Sequence, residues 1–89
     1  LAIDLTPYRE RARVLVERVT AGELDADGLR VALTDLVDDL YSVGVQDPGI
    51  AGLETLLAAL RAGSWSGDLE ALRDFASGTA GQRKAFWKR

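Results

Sequence analysis

The feature that most constrains the fold is a run of apolar residues spaced four and three positions apart. Its members are Leu29, Leu33, Leu36, Leu40 and Val43. This spacing places them on one side of an α-helix, whereas a strand requires an apolar residue at every second position. Asp25 precedes the run as a typical N-cap, and Gly44 ends it. The sequence therefore predicts an amphipathic helix between Asp25 and Gly44.

Similar patterns predict three more helices. Thr6 with Pro7, and Asp47 with Pro48, each combine an N-cap residue with a proline suited to the first helical position. The apolar stripes are Tyr8, Ala12, Leu15, Val16 and Val19 in the first segment, Ile50, Leu53, Leu56, Leu57 and Leu60 in the third, and Leu69, Leu72, Phe75 and Ala76 in a short fourth. No segment shows the alternation typical of strands. We expect an all-α protein, a small antiparallel four-helix bundle over residues 1–78.

Residues 79–89 form a separate segment by composition. Residues 1–78 carry fourteen acidic and seven basic side chains, a net charge of −7, whereas residues 79–89 carry four basic and no acidic ones. Thr79 and Gln82 match a capping box, which predicts a short last helix. The cations and aromatics of this basic tail are Arg83, Lys84, Phe86, Trp87, Lys88 and Arg89.

The basic tail has three interpretations. Its cations and aromatic rings can anchor a protein partner, or contact phosphates and stack on bases. Alternatively, Phe86 or Trp87 packs on the bundle while the cations neutralise its acidic charge. The acidity of the remaining chain disfavours nucleic acid as the main partner.

Two further features are candidate partner contacts. Asp35, Asp38 and Asp39 lie within one turn of the second predicted helix and can form an acidic recognition face. The alternative is a solvated face, or pairing with Arg11 and Arg18 of the first helix. Trp65 lies in a loop of Gly and Ser, where an indole can anchor an interface or fold back over the bundle.

The residue types present favour a non-catalytic role. The 89 residues include no Cys and no His, so the usual zinc ligands and a His general base are both missing. We expect no cofactor, no metal site and no catalytic residue. The leading hypothesis is a protein-binding module: an inhibitor, an immunity-type protein, an adaptor or an assembly subunit. The alternatives are a nucleic-acid-associated regulator that uses residues 79–89, and a homodimer that shares the unusually apolar third helix.

Residue usage gives an expectation for the source of the protein, and the lack of a long apolar run gives one for its compartment. Abundant Ala, Leu, Arg, Gly, Asp and Val are typical of proteins from high-GC bacterial genomes.

A small acidic helical bundle resembles the bacteriocin immunity proteins in fold class, although their acidic segment with paired tyrosines and a proline is missing here. No apolar run approaches the roughly 20 residues that span a bilayer. We expect a cytoplasmic protein, although a start at Leu1 leaves processing or excision from a longer chain open.

Overall fold

The computed structural model describes residues 3–79 of the chain. This part of the chain contains four α-helices and no β-strand. Their bounds are α1 Thr6–Thr20, α2 Ala26–Ser42, α3 Pro48–Ala62 and α4 Glu70–Ser77. Each helix packs against the next one along the chain, and α4 also packs against α1. The predicted all-α four-helix bundle is confirmed. The boundary between residues 78 and 79 stays a prediction, because residues 80–89 lie outside the described range.

Of the three N-caps predicted for the first three helices, two are confirmed. The Asp25 carboxylate accepts a hydrogen bond from the Gly28 amide at 2.8 Å, and the Asp47 carboxylate accepts one from the Gly49 amide at 2.9 Å. Each bond satisfies an amide of the first turn that has no partner within the helix. These two aspartates therefore fix where α2 and α3 begin.

The prediction that Thr6 caps α1 is wrong. The helix begins at Thr6, the residue before it is Leu5, and no side chain at that capping position accepts a hydrogen bond. Instead, the Asp4 carboxylate accepts the Thr6 amide at 2.9 Å, and this hydrogen bond lowers the pKa of Asp4. A carboxylate is a stronger acceptor than a hydroxyl, so Asp4 takes over the role expected of Thr6.

The end of α2 differs from the expected apolar stripe. Val43 was predicted to face the core but is 42% exposed. Gly44 turns the chain with φ +74°, and the Val45 amide donates to the Leu40 carbonyl at 3.1 Å. This is the geometry of a Schellman motif, in which the residue after the glycine packs against the last turn. Val45 is accordingly buried in place of Val43.

The unusually apolar α3 is covered within a single chain. All five residues predicted to face inward are buried, namely Ile50, Leu53, Leu56, Leu57 and Leu60. The neighbouring helices α2 and α4 pack on either side of α3. The large hydrophobic side chains that are exposed within residues 3–79 all lie outside α3. Its composition therefore needs no second chain to bury it.

Two glycines allow α4 to approach α3 closely. A Cβ atom at Gly49 would lie 2.9 Å from Cδ1 of the fully buried Phe75. A Cβ atom at Gly52 would lie 3.3 Å from the Cβ of Ala71. The first distance is shorter than any ordinary van der Waals contact, and the second is only slightly tight. The α3–α4 contact thus depends on a missing side chain at Gly49 above all.

Candidate functional site

The three aspartates of α2 have different environments. Asp39 accepts a hydrogen bond from Nη1 of Arg11 at 2.7 Å, which ties α2 to α1. Pairing across the bundle, the alternative to a free acidic face, is therefore confirmed for Arg11 and Asp39. Arg18 forms no ion pair within residues 3–79. Because Asp39 is paired with Arg11, it is a weaker candidate for partner contact than Asp35 and Asp38.

Asp35 and Asp38 are exposed and have no hydrogen bond or ion pair within the described part of the chain. Val31 precedes them by four and seven positions, so the three residues share one side of α2. Val31 is 50% exposed and lies opposite the buried leucines of this helix. We call Val31, Asp35 and Asp38 the α2 outer face. It combines an exposed apolar side chain with two carboxylates that lack a counter-charge.

A shallow groove of about 300 Å³ borders this face between α1 and α2. Its interior is apolar, formed by Val14, Leu15 and Ala32. Val14 is 38% exposed although it lies beside the buried Leu15. Glu10, Arg11 and Asp35 form the charged rim of this α1–α2 groove. Apolar floor and charged rim together are the usual composition of a small protein contact.

Glu10 at the groove rim is held by Arg13 of the same helix. The Arg13 guanidinium donates to the carboxylates of both Glu10 and Glu17. The hydrogen bond from Arg13 lowers the pKa of Glu10, and the two carboxylates raise the pKa of Arg13. Because Glu10 is already paired, the unpaired negative charge at the groove lies on the α2 side.

Trp65 packs partly against the core instead of standing free in its loop. Its Nε1 donates to the Asp68 carbonyl oxygen at 2.9 Å, which satisfies the only polar atom of the indole. The ring lines a second groove of about 360 Å³ between α3 and α4, together with Thr55 and Ala71. This position agrees with the alternative in which the indole folds back on the bundle.

The six candidate residues of the basic tail lie outside the described residues. They are Arg83, Lys84, Phe86, Trp87, Lys88 and Arg89. Their proposed contacts with a protein or with nucleic acid stay predictions.

Sequence reasoning missed the position of Arg9. No feature of the sequence singles out Arg9, which lies between α1 and the ends of two other helices. Its Nη2 is 3.7 Å from Oδ1 of Asp47, the N-cap of α3, and its guanidinium lies against Gly78 after α4. Its Nε is buried without a hydrogen-bond partner within residues 3–79. Arg9 therefore joins α1, α3 and α4 at one end of the bundle.

A polar contact between α2 and α3 was also missed. The Tyr41 hydroxyl donates to the Glu54 carboxylate, and this hydrogen bond raises the pKa of Tyr41. Tyr41 is nevertheless 55% exposed. The two residues are thirteen positions apart, and no spacing in the sequence indicates that they meet.

The described residues contain neither a candidate metal site nor a helix that could cross a membrane. In the described range, no three His, Cys, Asp or Glu residues are grouped so that they could hold a metal ion. No helix within residues 3–79 has both the length and the apolar character needed to cross a bilayer. Comparison with protein-family models, with curated proteins and with solved structures finds no match to this chain.

Proposed function

We propose that this chain is a non-catalytic protein-binding module of the bacterial cytoplasm, and that its contact surface is the α2 outer face with the adjoining α1–α2 groove. The observation that carries the proposal is the unpaired state of Asp35 and Asp38 beside exposed valines. An inhibitor, an immunity-type protein, an adaptor and an assembly subunit all fit this class. The residue usage supports the bacterial source.

The energetics of the α2 outer face favour a partner. Two like charges three positions apart on a helix destabilise it by a few tenths of a kcal/mol, unless a counter-charge is supplied. Asp39 receives one from Arg11 within the chain, but Asp35 and Asp38 do not. A cationic partner would supply it and would gain association rate from the complementary charge.

The exposed valines add a contact that is independent of charge. Val31 and Val14 are 50% and 38% exposed. Burying such apolar surface under a partner contributes about 25 cal/mol for each Å² removed from water. The α2 outer face and the adjoining α1–α2 groove therefore offer both apolar contacts and a polar rim, the arrangement found in protein interfaces.

The two alternative functions have less support. A homodimer through α3 requires exposed apolar surface on that helix, and the large apolar residues of α3 are covered by α2 and α4. A nucleic-acid-associated regulator depends on residues 79–89 alone. Residues 1–78 have a net charge of −7 and would repel phosphate groups.

The test is affinity capture from the source cell with the immobilised full chain and two charge-matched variants. The variant Asp35→Lys changes the α2 outer face. A control, Glu23→Lys, makes the same change in charge at an exposed loop position whose side chain has no hydrogen bond or ion pair in the described part of the chain. We expect a specific protein to bind the parent and the control, and to be lost from the α2 variant. Equal retention of that protein by all three chains would contradict the proposed surface.

A further inference from the structure

The two walls of the α1–α2 groove carry unpaired charges of opposite sign. Arg11 and Val14 of α1 line the groove, and Arg18 follows Arg11 by seven positions, about two helical turns, so it lies on the same side of α1. Arg18 is exposed and has no ion pair within residues 3–79. Across the groove, Asp35 is also exposed and unpaired in that range. One face of the chain therefore offers a free cation on α1 and a free anion on α2.

The contacts between α1 and α2 determine which of their residues lie at the same height along the bundle. Arg11 binds Asp39, whereas the later Leu15 shares the groove with the earlier Ala32. Increasing residue numbers in α1 thus meet decreasing numbers in α2, so the two helices run antiparallel. The pair of Arg11 and Asp39 marks a common level from which other heights can be counted.

Arg18 and Asp35 lie at similar heights on the two sides of the groove. At a rise of about 1.5 Å per residue, Arg18 is about 10.5 Å and Asp35 about 6 Å from the level of the Arg11–Asp39 pair. The difference of about 4.5 Å equals the offset between residues i and i+3 of one helix, which ion pairs bridge. The two charges are therefore matched in height but do not meet within one chain.

A second copy of the chain brings these charges together when it is rotated about a two-fold axis parallel to the helices. This rotation leaves heights unchanged and places α1 of each copy over α2 of the other. Arg18 of one copy then faces Asp35 of the second copy, and symmetry repeats the contact. The exposed Val14 and Val31 belong to the same interface. A two-fold axis across the helices would instead stack α2 on α2 and oppose like charges.

The size of the face predicts a weak, reversible dimer. The 15 residues of α1 span about 22 Å, and two packed helices are together about 20 Å wide. The projected footprint is on the order of 400 Å², below the roughly 800 Å² of surface that each partner buries in a standard stable complex. The net charge of −3 on each chain adds repulsion, but charges farther apart than about 8 Å are largely screened at physiological salt.

We propose that the α1–α2 face binds the same face of a second copy, with Arg18 of each copy paired with Asp35 of the other. This dimer uses α1 and α2, and it leaves α3 outside the interface. It goes beyond the proposed function and is tested without any captured protein. Because the two surfaces overlap, self-association would compete with a partner, and that consequence alone rests on the proposed function.

Sedimentation of the full chain at physiological salt gives the first test. We expect a monomer at about 5 µM and a mass that rises toward the dimer at about 1 mM, as a small interface implies. Asp35→Lys and Arg18→Glu should each remain monomeric, because each opposes like charges at both contacts. A parent chain that stays monomeric throughout would overturn the proposal.

Two matched controls separate the contact from the change in net charge. Glu23→Lys makes the same charge change as Asp35→Lys in a loop, and Arg73→Glu makes the same change as Arg18→Glu on α4. Both controls should associate like the parent. Circular dichroism checks that each variant is folded. Controls that lose the dimer as fully as the α1 and α2 variants would show that net charge alone decides association, and would refute the paired contact.

An equimolar mixture of Asp35→Lys and Arg18→Glu is the decisive arm. In a mixed dimer, one contact joins the new lysine to the new glutamate, and the other keeps Arg18 opposite Asp35. We expect the mixture to recover the dimer that neither variant forms alone. A mixture that stays monomeric while the parent dimerises would place the dimer on another face and contradict the proposal. Because no captured partner takes part, failure here leaves the capture result of the proposed function unaffected.

Discussion

Changing Gly49 to Ala should destabilise the bundle, although the same change usually stabilises a helix. Alanine in place of a helical glycine normally gains about 0.5–1 kcal/mol. At this position the new Cβ would lie 2.9 Å from Cδ1 of Phe75 and 2.9 Å from Oδ2 of Asp47. Phe75 is fully buried, so any movement of its ring must displace neighbouring core side chains.

The steric cost should exceed the gain in helix propensity. Forcing an extra methyl group into a packed core costs typically about 1–3 kcal/mol. A displaced Asp47 side chain would also weaken the N-cap of α3, which is worth about 1 kcal/mol. We therefore expect a net loss of about 1–2 kcal/mol in the free energy of unfolding, or a Tm lower by roughly 5–15 °C for a domain of this size.

Gly52→Ala is the matched control, three residues further along the same helix. There the new Cβ would lie 3.3 Å from the Cβ of Ala71, a contact that a shift of a few tenths of an ångström relieves. Its stability should stay within about 1 kcal/mol of the parent, since propensity and crowding nearly cancel. Thermal and urea unfolding followed by circular dichroism measures both variants. A Gly49→Ala chain as stable as the parent or more so would refute the packing described for α3 and α4.

Three further outcomes are expected. Leu36→Ala should cost about 2–5 kcal/mol because Leu36 is fully buried, whereas Val31→Ala should change stability by less than about 0.5 kcal/mol; equal unfolding midpoints would contradict the burial. Asp25→Ala should lower stability by about 1 kcal/mol through loss of the α2 N-cap, measured by urea unfolding. Tyr41 should titrate above its ordinary pKa of 10.0, and Glu54→Gln should bring it down, as followed by ultraviolet absorbance. The stability from this hydrogen bond is present below the unfolded pKa of Tyr41 and is lost as the pH rises through the folded one.

The helices were predictable because their signals are local. The leucine spacing of α2 and the caps at Asp25 and Asp47 depend on residues within one or two turns, and the structure confirms them. Errors arose at the ends of helices, where two neighbouring residues compete for one role. Asp4 replaced Thr6 as the acceptor at the start of α1, and Val45 replaced Val43 in the core.

The candidate surface was only partly predictable, because it depends on distant residues. The sequence offered Asp35, Asp38 and Asp39 as one group. The arginine that separates Asp39 from the others comes from α1, twenty-eight positions away. Similarly, nothing local indicates that Arg9 meets Asp47, since the two come together only through helix packing. Burial follows from periodicity, whereas charge pairing follows from tertiary structure.

Hydrogen exchange of the chain, free and bound to the protein that it captures, tests the central claim most directly. Amides that a partner covers exchange more slowly, and the protected peptides identify the contact surface. We predict added protection in residues 10–18 of α1 and 30–39 of α2, with residues 48–62 of α3 unchanged. Protection confined to α3, or to the loop around Trp65, with α1 and α2 unaffected would contradict the assignment of the α2 outer face as the binding surface.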